Sequence, residues 1–293
     1  MNKVLAACLF LLPLKVFCQL PETDIWLMDI KGDGNTMSFT NVKNITARKG
    51  YDNQPSFSPD GKLIYFTSIR DSARQADTYT YNLVTGETRQ FTFTKTSEYS
   101  PAVNLKGDGV SVLMVEPDSA QKMWEYPLAG GQAHAIFSKS DSIGYYAWVT
   151  DTSLLVFIIP GKATPSNLRL IQANGTEKPI AEKVGRGMKT YGHSAIFVKQ
   201  VDSLNYLYLT DYNTSTQLVK TPGKSQDFAI YKEYLLMADK GIIYRAKMHV
   251  VNGKLVSLDP FTPIQDLLEY GLKNISRVAV SPDGKKMAVA NTE

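Results

Sequence analysis

The sequence predicts an all-β protein built from a repeated four-strand unit. Short runs rich in Val, Ile, Tyr, Phe and Thr alternate with turns of Gly, Asn, Asp and Pro, and helical periodicity is scarce. The tetrapeptide Ser-Pro-Asp-Gly occurs twice, at 58–61 and 281–284, each time between short apolar segments. Pro presets φ, Asp hydrogen-bonds the turn backbone and Gly accepts positive φ, so each copy predicts a tight turn. Recurrence at both ends of the chain indicates a repeat architecture.

The clearest unit spans 55–93 and contains four predicted strands, over 55–59, 63–68, 78–83 and 88–93. Four antiparallel strands in about 40 residues are typical of a β-propeller blade. The same cycle can be followed through units at 101–137, 145–181, 188–220 and 228–258. An insertion over 261–272 follows, with a helical turn expected within 264–270.

The two ends of the chain complete the count of blades. Residues 276–291 supply only two strands, and 24–30 with 41–46 supply the missing two. Joined together they form a sixth blade, in a ring that leaves no open sheet edge. The predicted fold is therefore a six-bladed β-propeller with four antiparallel strands per blade. A seven-bladed ring is the nearest alternative; a β-sandwich or open sheet does not explain the recurring four-strand unit.

The first 18 residues have the pattern of a secretory signal peptide. Lys3 precedes an apolar run over 4–14, and 16–18 offers a cleavage site before Gln19. The run is about half the length of a membrane span, which disfavours a membrane anchor. Lipidation at Cys18 is disfavoured by the bulky Phe17. We expect export to the periplasm or beyond, with residues 19–293 as one propeller domain and no transmembrane span.

Composition limits the classes of partner. The 293 residues are 43% hydrophobic and 20% charged, which is ordinary for a globular protein. Both cysteines, Cys8 and Cys18, fall in the predicted signal, so the mature chain would hold no disulfide. The formal net charge is +4, and loss of Lys3 and Lys15 lowers it by two. This near balance gives no electrostatic reason to expect nucleic acid as a partner.

The repeat resembles that of the TolB-like propellers. The resemblance lies in 53–68 (Asn-Gln-Pro-Ser-Phe-Ser-Pro-Asp-Gly-Lys-Leu-Ile-Tyr-Phe-Thr-Ser), in 79–87 (Tyr-Thr-Tyr-Asn-Leu-Val-Thr-Gly-Glu) and in 24–29 (Asp-Ile-Trp-Leu-Met-Asp). It implies an exported bacterial protein with six blades. Relatives of this kind often act as protein-binding scaffolds at the cell envelope. The residues that match are structural, so the resemblance assigns turns and strands and no site.

No motif in the sequence indicates a catalytic reaction. A Gly-x-Ser-x-Gly nucleophile elbow is absent, and the segment 192–196 lacks its final glycine. His134, His193 and His249 have no His or Cys at metal-ligand spacing. We therefore expect no catalytic residue, no metal and no cofactor.

The segments that join one blade to the next are the predicted binding surface. In a propeller they lie on the face opposite the Ser-Pro-Asp-Gly turns, and functional residues usually sit on loops held by a rigid scaffold. Tyr and Arg are enriched at binding hot spots. The candidate partner-binding residues are Tyr51, Asn53, Glu98, Tyr99, Tyr145, Arg186, Lys189, Gln226, Asp227 and Lys273.

The leading hypothesis is a non-enzymatic exported scaffold that binds another envelope protein or a peptide through this face. A hydrolase or lyase acting on saccharide or peptide is one alternative, with Glu98 and Asp227 as a possible carboxylate pair. A small-ligand sensor that uses the channel is the other.

Overall fold

The strands of this protein form five sheets in a computed structural model, which describes residues 21–70, 75–137 and 142–292. Within those ranges there is no α-helix, and the two 3-10 helices span Gly34–Thr36 and Leu268–Tyr270. The predicted all-β class is therefore confirmed. The signal peptide predicted over 1–18 lies outside the described residues.

The first sheet contains eight strands drawn from both ends of the chain, in the order β24-β25-β1-β3-β4-β5-β6 with β2 beside β1. Its amino-terminal members are β1 (Thr23–Lys31), β2 (Ser38–Asn44), β3 (Tyr51–Phe57), β4 (Leu63–Ile69), β5 (Ala76–Asn82) and β6 (Thr88–Gln90).

The next three sheets have four antiparallel strands each, arranged in sequence order from a first, inner strand to a fourth. The second sheet contains β7 (Glu98–Val103), β8 (Gly109–Val115), β9 (Gln121–Pro127) and β10 (His134–Ala135). The third contains β11 (Ile143–Thr150), β12 (Ser153–Ile158), β13 (Asn167–Gln172) and β14 (Glu177–Glu182). The fourth contains β15 (Val184–Tyr191), β16 (Ser194–Val201), β17 (Leu204–Thr210) and β18 (Ser215–Lys220).

The fifth sheet differs from the simple four-strand expectation. Its members are β19 (Phe228–Tyr231), β20 (Tyr234–Asp239), β21 (Ile242–Val251), β22 (Lys254–Leu258) and β23 (Thr262–Asp266). The long β21 pairs with β22 along its second half and with β23 along its first half. The predicted insertion is therefore mainly a strand, followed by the second 3-10 helix. The chain ends with β24 (Ile275–Val280) and β25 (Lys286–Thr292), which belong to the first sheet.

The amino- and carboxyl-terminal strands pair directly, as the sequence predicts. β1 runs antiparallel to β25 with Trp26 opposite Val289 and Met28 opposite Met287. Both faces of β1 are buried: Ile25 and Leu27 pack against residues of β4 and β5, whereas Met28 packs against the fifth sheet. This double burial explains the nearly continuous apolar sequence of the strand.

The two Ser-Pro-Asp-Gly turns have the same geometry. Ser58 Oγ donates to Asp60 Oδ1 at 2.6 Å, and Asp60 Oδ1 also accepts the backbone N–H of Lys62. In the second copy Ser281 Oγ donates to Asp283 Oδ1 at 2.7 Å. The last glycine of each turn has φ 68°, a left-handed conformation that favours glycine.

A buried ion pair holds the amino-terminal strands against the start of β3. β1 and β3 share one parallel bridge, between Thr23 and Tyr51. Beside it, Arg48 Nε lies 3.0 Å from Asp52 Oδ2, and the Asp52 side chain is 0% exposed. Ser68 Oγ also donates to Asp52 Oδ1 at 2.5 Å. Burial raises the pKa of the Asp52 carboxyl, and Ser68 and Arg48 oppose that shift.

Candidate functional site: a channel lined by six inner strands

A central cavity of about 480 Å³ is the main candidate site. It is lined by residues on or beside six strands, β3, β7, β11, β15, β19 and β24, which include the first strand of every sheet unit. The lining residues that enter the argument below are Gln54, Ser56, Ser100, Ala102, Tyr145, Ala147, Arg186, Lys189, Asp227, Ala229, Arg277 and Ala279.

One level of this channel is ringed by small residues. In each unit one inner-strand residue is opposite the third residue of the strand that follows it, so these six positions are equivalent in register. In chain order they are Ser56, Ala102, Ala147, Lys189, Ala229 and Ala279. Five of the six side chains are therefore Ala or Ser, and they leave room around the single lysine.

β-bulges occur just before this level. The pairing register shifts in β3, β7, β11, β15 and β24, at the part of each inner strand nearer the blade-joining segments. Gln54 and Ser100 have φ of 58° and 53° at two of these bulges. A bulge inserts residues without a partner and redirects side chains. The bulges thus help to place the polar channel residues.

The bulge of β15 needs a glycine. Between Val184 and Met188 the register shifts by two residues, around Gly185, Arg186 and Gly187. A Cβ on Gly187 would lie 2.2 Å from the backbone oxygen of Gln226, a contact that a side chain cannot make. The close approach of these two segments therefore fixes the backbone on which Arg186 is carried.

Arginine, tyrosine and aspartate meet at the bulge level. Arg277 Nη2 donates to Tyr145 Oη at 3.1 Å, and its guanidinium lies 5.1 Å from the centre of the Tyr145 ring. Arg186 Nη2 donates to the backbone oxygen of Ser276 at 2.7 Å. Asp227 Oδ2 accepts the backbone N–H of Val278 at 2.9 Å. These contacts link β24 of the first sheet to inner segments of the third, fourth and fifth sheets across the channel.

Some of the donors at this level are unused. Arg186 Nε and Arg277 Nη1 are buried and have no hydrogen-bond partner within the described part of the chain. Buried polar groups are nearly always hydrogen-bonded, so each unpaired one needs an explanation. Both side chains also line the cavity, so a ligand there would have to turn them to reach these two buried nitrogens.

Burial also shapes the protonation of the site. Burial raises the pKa of the Asp227 carboxyl, and the positive charges of Lys189 and Arg186 oppose that shift. Burial likewise raises the pKa of the Tyr145 hydroxyl, again opposed by Arg186. Tyr51 lies close enough to Tyr145 for the two to influence each other, and its pKa is also raised, mainly by burial. At neutral pH the tyrosines are therefore neutral hydrogen-bonding groups.

The structure separates the ten predicted partner-binding residues into four groups. Tyr145, Arg186, Lys189 and Asp227 line the channel. Lys273 is exposed outside it, whereas Tyr99 and Gln226 are partly buried. Tyr51, Asn53 and Glu98 are buried, because β3 and β7 begin earlier than predicted and draw these residues into the sheets.

Glu98 is held away from the channel mouth. It is 0% exposed and accepts hydrogen bonds from Thr94 Oγ1 at 2.9 Å and from the Tyr126 hydroxyl at 2.5 Å. Burial raises the pKa of its carboxyl. Glu98 is absent from the cavity lining whereas Asp227 belongs to it, so the structure does not bring this pair together in the channel.

Sequence reasoning missed Arg277 and the ring of small residues. The pattern of 276–291 predicts only a structural strand around Arg277, although a charged residue inside the apolar segment 275–280 indicates a specific contact for its side chain. The small ring becomes visible only when the six inner strands are aligned on their turns.

Two general findings accompany this site. Over the described ranges, no helix is long and apolar enough to cross a membrane. Within 21–70, 75–137 and 142–292, no three His, Cys, Asp or Glu side chains are grouped so that they could hold a metal ion.

Similarity to known proteins is structural. No known family model matches the sequence, and no curated protein matches it. A putative TolB from Agrobacterium tumefaciens superposes with a TM-score of 0.69 at 12% identity, covering 94% of this chain and 99% of that chain. TolB from Acinetobacter baumannii gives 0.58 at 13% identity, covering 92% of this chain and 65% of that chain.

A gluconolactonase from Xanthomonas campestris, XC5397, also has a similar structure. Its TM-score is 0.59 at 8% identity, covering 95% of this chain and 99% of that chain. At such low identities these likenesses show the fold alone. This protein has a β-propeller fold of the kind seen in TolB, and its function must be argued from its own channel.

Proposed function

We propose that this protein is an exported, non-enzymatic six-bladed propeller that binds another cell-envelope protein or a peptide through its channel mouth. The proposed domain covers 19–293, and export rests on the signal-like sequence of 1–18. The eight-stranded sheet counts as two blades, because only the Thr23–Tyr51 bridge joins β1 to β3. The convergence of six inner strands on one cavity supports the count of six.

The observation that carries the proposal is the cluster of Tyr145, Arg186, Lys189, Asp227 and Arg277 in the channel. Tyr and Arg are the residues that contribute most often to binding hot spots, especially in desolvated pockets. Two of the guanidinium groups retain buried donors without a partner among the described residues. A segment of another protein that supplies acceptors would satisfy them once the two side chains turn toward it.

A crosslinking pull-down from the native envelope tests this proposal. Lys189→Glu and Arg186→Glu reverse charges inside the channel, and we expect each to lower capture of the partner by at least about tenfold. Lys189→Glu is the cleaner variant, because the Lys189 side chain is exposed to the channel and Arg186 also braces Ser276. Thermal unfolding should show that the variants remain folded.

Lys285→Glu is the matched control. It makes the same charge change at an exposed residue directly after the Ser-Pro-Asp-Gly turn of 281–284, on the opposite face. Capture should be unchanged by Lys285→Glu. If wild type and Lys189→Glu capture the same partner equally well, the channel is not the binding surface and the proposal fails.

A further inference from the structure

The channel carries an excess of positive charge. Within the described chain, the positively charged lining residues are Arg186, Lys189 and Arg277, and the negatively charged one is Asp227. One carboxylate cannot neutralise three cations in a partly desolvated space, where electrostatic interactions are stronger than in water. The site therefore favours a ligand with negative charge.

The two arginines have hydrogen-bond donors without acceptors, whereas the Asp227 carboxylate has a donor. Arg186 Nε and Arg277 Nη1 are buried without an acceptor in the described ranges. Lys189 is exposed, and its charge acts on Asp227 without a hydrogen bond or ion pair between these two described residues. Asp227, by contrast, already accepts the backbone N–H of Val278. The missing groups are hydrogen-bond acceptors, and a carboxylate supplies them to arginine in a matching planar geometry.

The shape of the channel indicates how the acceptor is presented. Lys189 lies at the level otherwise occupied by Ser56 and four alanines, which leaves free space beside its side chain. From the mouth, a chain would pass Tyr145 and the two arginines before reaching this wider level. An extended chain that ends in a carboxylate fits this order, because its last group is both small and charged.

We infer that the channel binds the terminal carboxylate of an extended chain, held by Lys189, Arg186 and Arg277. This inference rests on the proposed function and names the chemical group that the channel recognises. Tyr145, already fixed by Arg277, would face the chain just behind its carboxylate. A peptide carboxyl terminus and a free short-chain carboxylic acid share this chemistry.

Titration calorimetry on the full mature protein distinguishes these sources. The probes are tri-alanine with a free carboxylate, tri-alanine amide, acetate and inorganic phosphate. We expect tri-alanine to bind at millimolar concentration and its amide to bind at least about tenfold more weakly, since a hydrogen-bonded charge is lost. Acetate should bind more weakly than tri-alanine if the chain contributes contacts. Acetate equal to tri-alanine would identify a small-acid site and overturn the extended-chain inference.

Variants connect binding to the named residues. Lys189→Gln should weaken binding of tri-alanine about tenfold, whereas Lys285→Gln on the exposed turn should have no effect. Arg277→Lys keeps the charge but loses the planar fork, so it should retain more binding than Arg277→Gln. The far-ultraviolet circular dichroism of each variant checks that it is folded.

Several results would overturn the inference. They are equal binding of tri-alanine and its amide, no binding of tri-alanine, stronger binding of phosphate than of tri-alanine, or full binding by Lys189→Gln. The pull-down described above separates the two proposals. If Lys189→Glu loses partner capture while tri-alanine and its amide bind equally, carboxylate recognition is refuted and the proposed binding function stands. If the protein binds tri-alanine selectively over its amide but captures no envelope partner, the proposed binding function is refuted and carboxylate recognition stands.

Discussion

Removal of Arg48 should weaken the junction between the amino-terminal strands and β3. The Arg48 side chain is 24% exposed and pairs with Asp52, which is 0% exposed. Its Nη2 also donates to Ser68 Oγ at 3.0 Å and to the backbone oxygen of Ile69 at 2.7 Å. Arg48→Ala deletes all of these contacts. Asp52 would keep the hydrogen bond from Ser68 and the more distant Arg70, whose Nη2 lies 4.0 Å away.

The size of the effect follows from the burial of the partner. Removing one member of a buried ion pair leaves an uncompensated charge and costs about 3–5 kcal/mol. Because a quarter of the Arg48 side chain is exposed, we expect the lower end, about 3 kcal/mol. The folded-state pKa of Asp52 is already raised by burial. The stability that Asp52 contributes is therefore present at low pH and lost as the pH rises through its folded-state pKa. Protonation of Asp52 removes the buried charge that Arg48 compensates, so acidification should reduce the loss of stability caused by Arg48→Ala.

Urea unfolding monitored by tryptophan fluorescence measures this effect as a shift of the midpoint at constant slope. Arg89→Ala is the control: Arg89 pairs with Glu87 at 2.8 Å, but their side chains are 76% and 56% exposed. Such surface pairs contribute about 0–1 kcal/mol. The double variant Arg48→Met with Asp52→Asn should be more stable than Arg48→Ala. Equal stability of Arg48→Ala and Arg89→Ala would refute the assignment of a buried ion pair.

Two further predictions concern a buried acid and a bulge. Glu98→Gln removes a carboxyl that is 0% exposed and whose pKa burial raises. Its stability relative to wild type should therefore increase from acid to neutral pH, by about 1.4 kcal/mol per unit of raised pKa; a pH-independent difference in unfolding midpoint would contradict this. Gly187→Ala should be destabilising and should weaken channel binding, because its Cβ would collide with the backbone oxygen of Gln226. Gly185→Ala, which meets only side chains at 3.0 Å or more, should cost less in the same thermal unfolding assay; equal costs would argue against a fixed bulge.

Local signals predicted much of this fold. The Ser-Pro-Asp-Gly turns close as expected because their hydrogen bonds lie within a few residues, between Ser58 and Lys62 in the first copy. The number of strands per unit predicts the pairing of β1 with β25, and this rule needs no knowledge of side-chain packing.

The candidate site was only partly predictable, because exposure is decided by tertiary packing. Tyr51 and Glu98 are polar and occur next to turns, yet both are buried by the early start of their strands. Blade geometry predicts Arg186 and Lys189 in blade-joining segments at the channel mouth; both line the cavity, and their part in binding stays a prediction. The direction of Arg277 depends on a bulge in β24, and a shift of one residue in register was not visible in its sequence.

A disulfide between the two ends of the chain tests the account most directly, because the channel needs inner strands from the first and last units in one ring. Ile30 N donates to Lys285 O at 2.8 Å, so the neighbouring pair Asp29–Lys286 is non-hydrogen-bonded, with Cα atoms about 4.5 Å apart. That spacing suits a disulfide. Asp29→Cys with Lys286→Cys, in a chain with Cys8 and Cys18 replaced by Ser, should oxidise readily and raise the unfolding midpoint. Asp29→Cys with Lys106→Cys, in the turn of the second sheet, should not. Equal crosslinking of the two pairs, or none for the first, would contradict the proposed six-bladed ring and the channel within it.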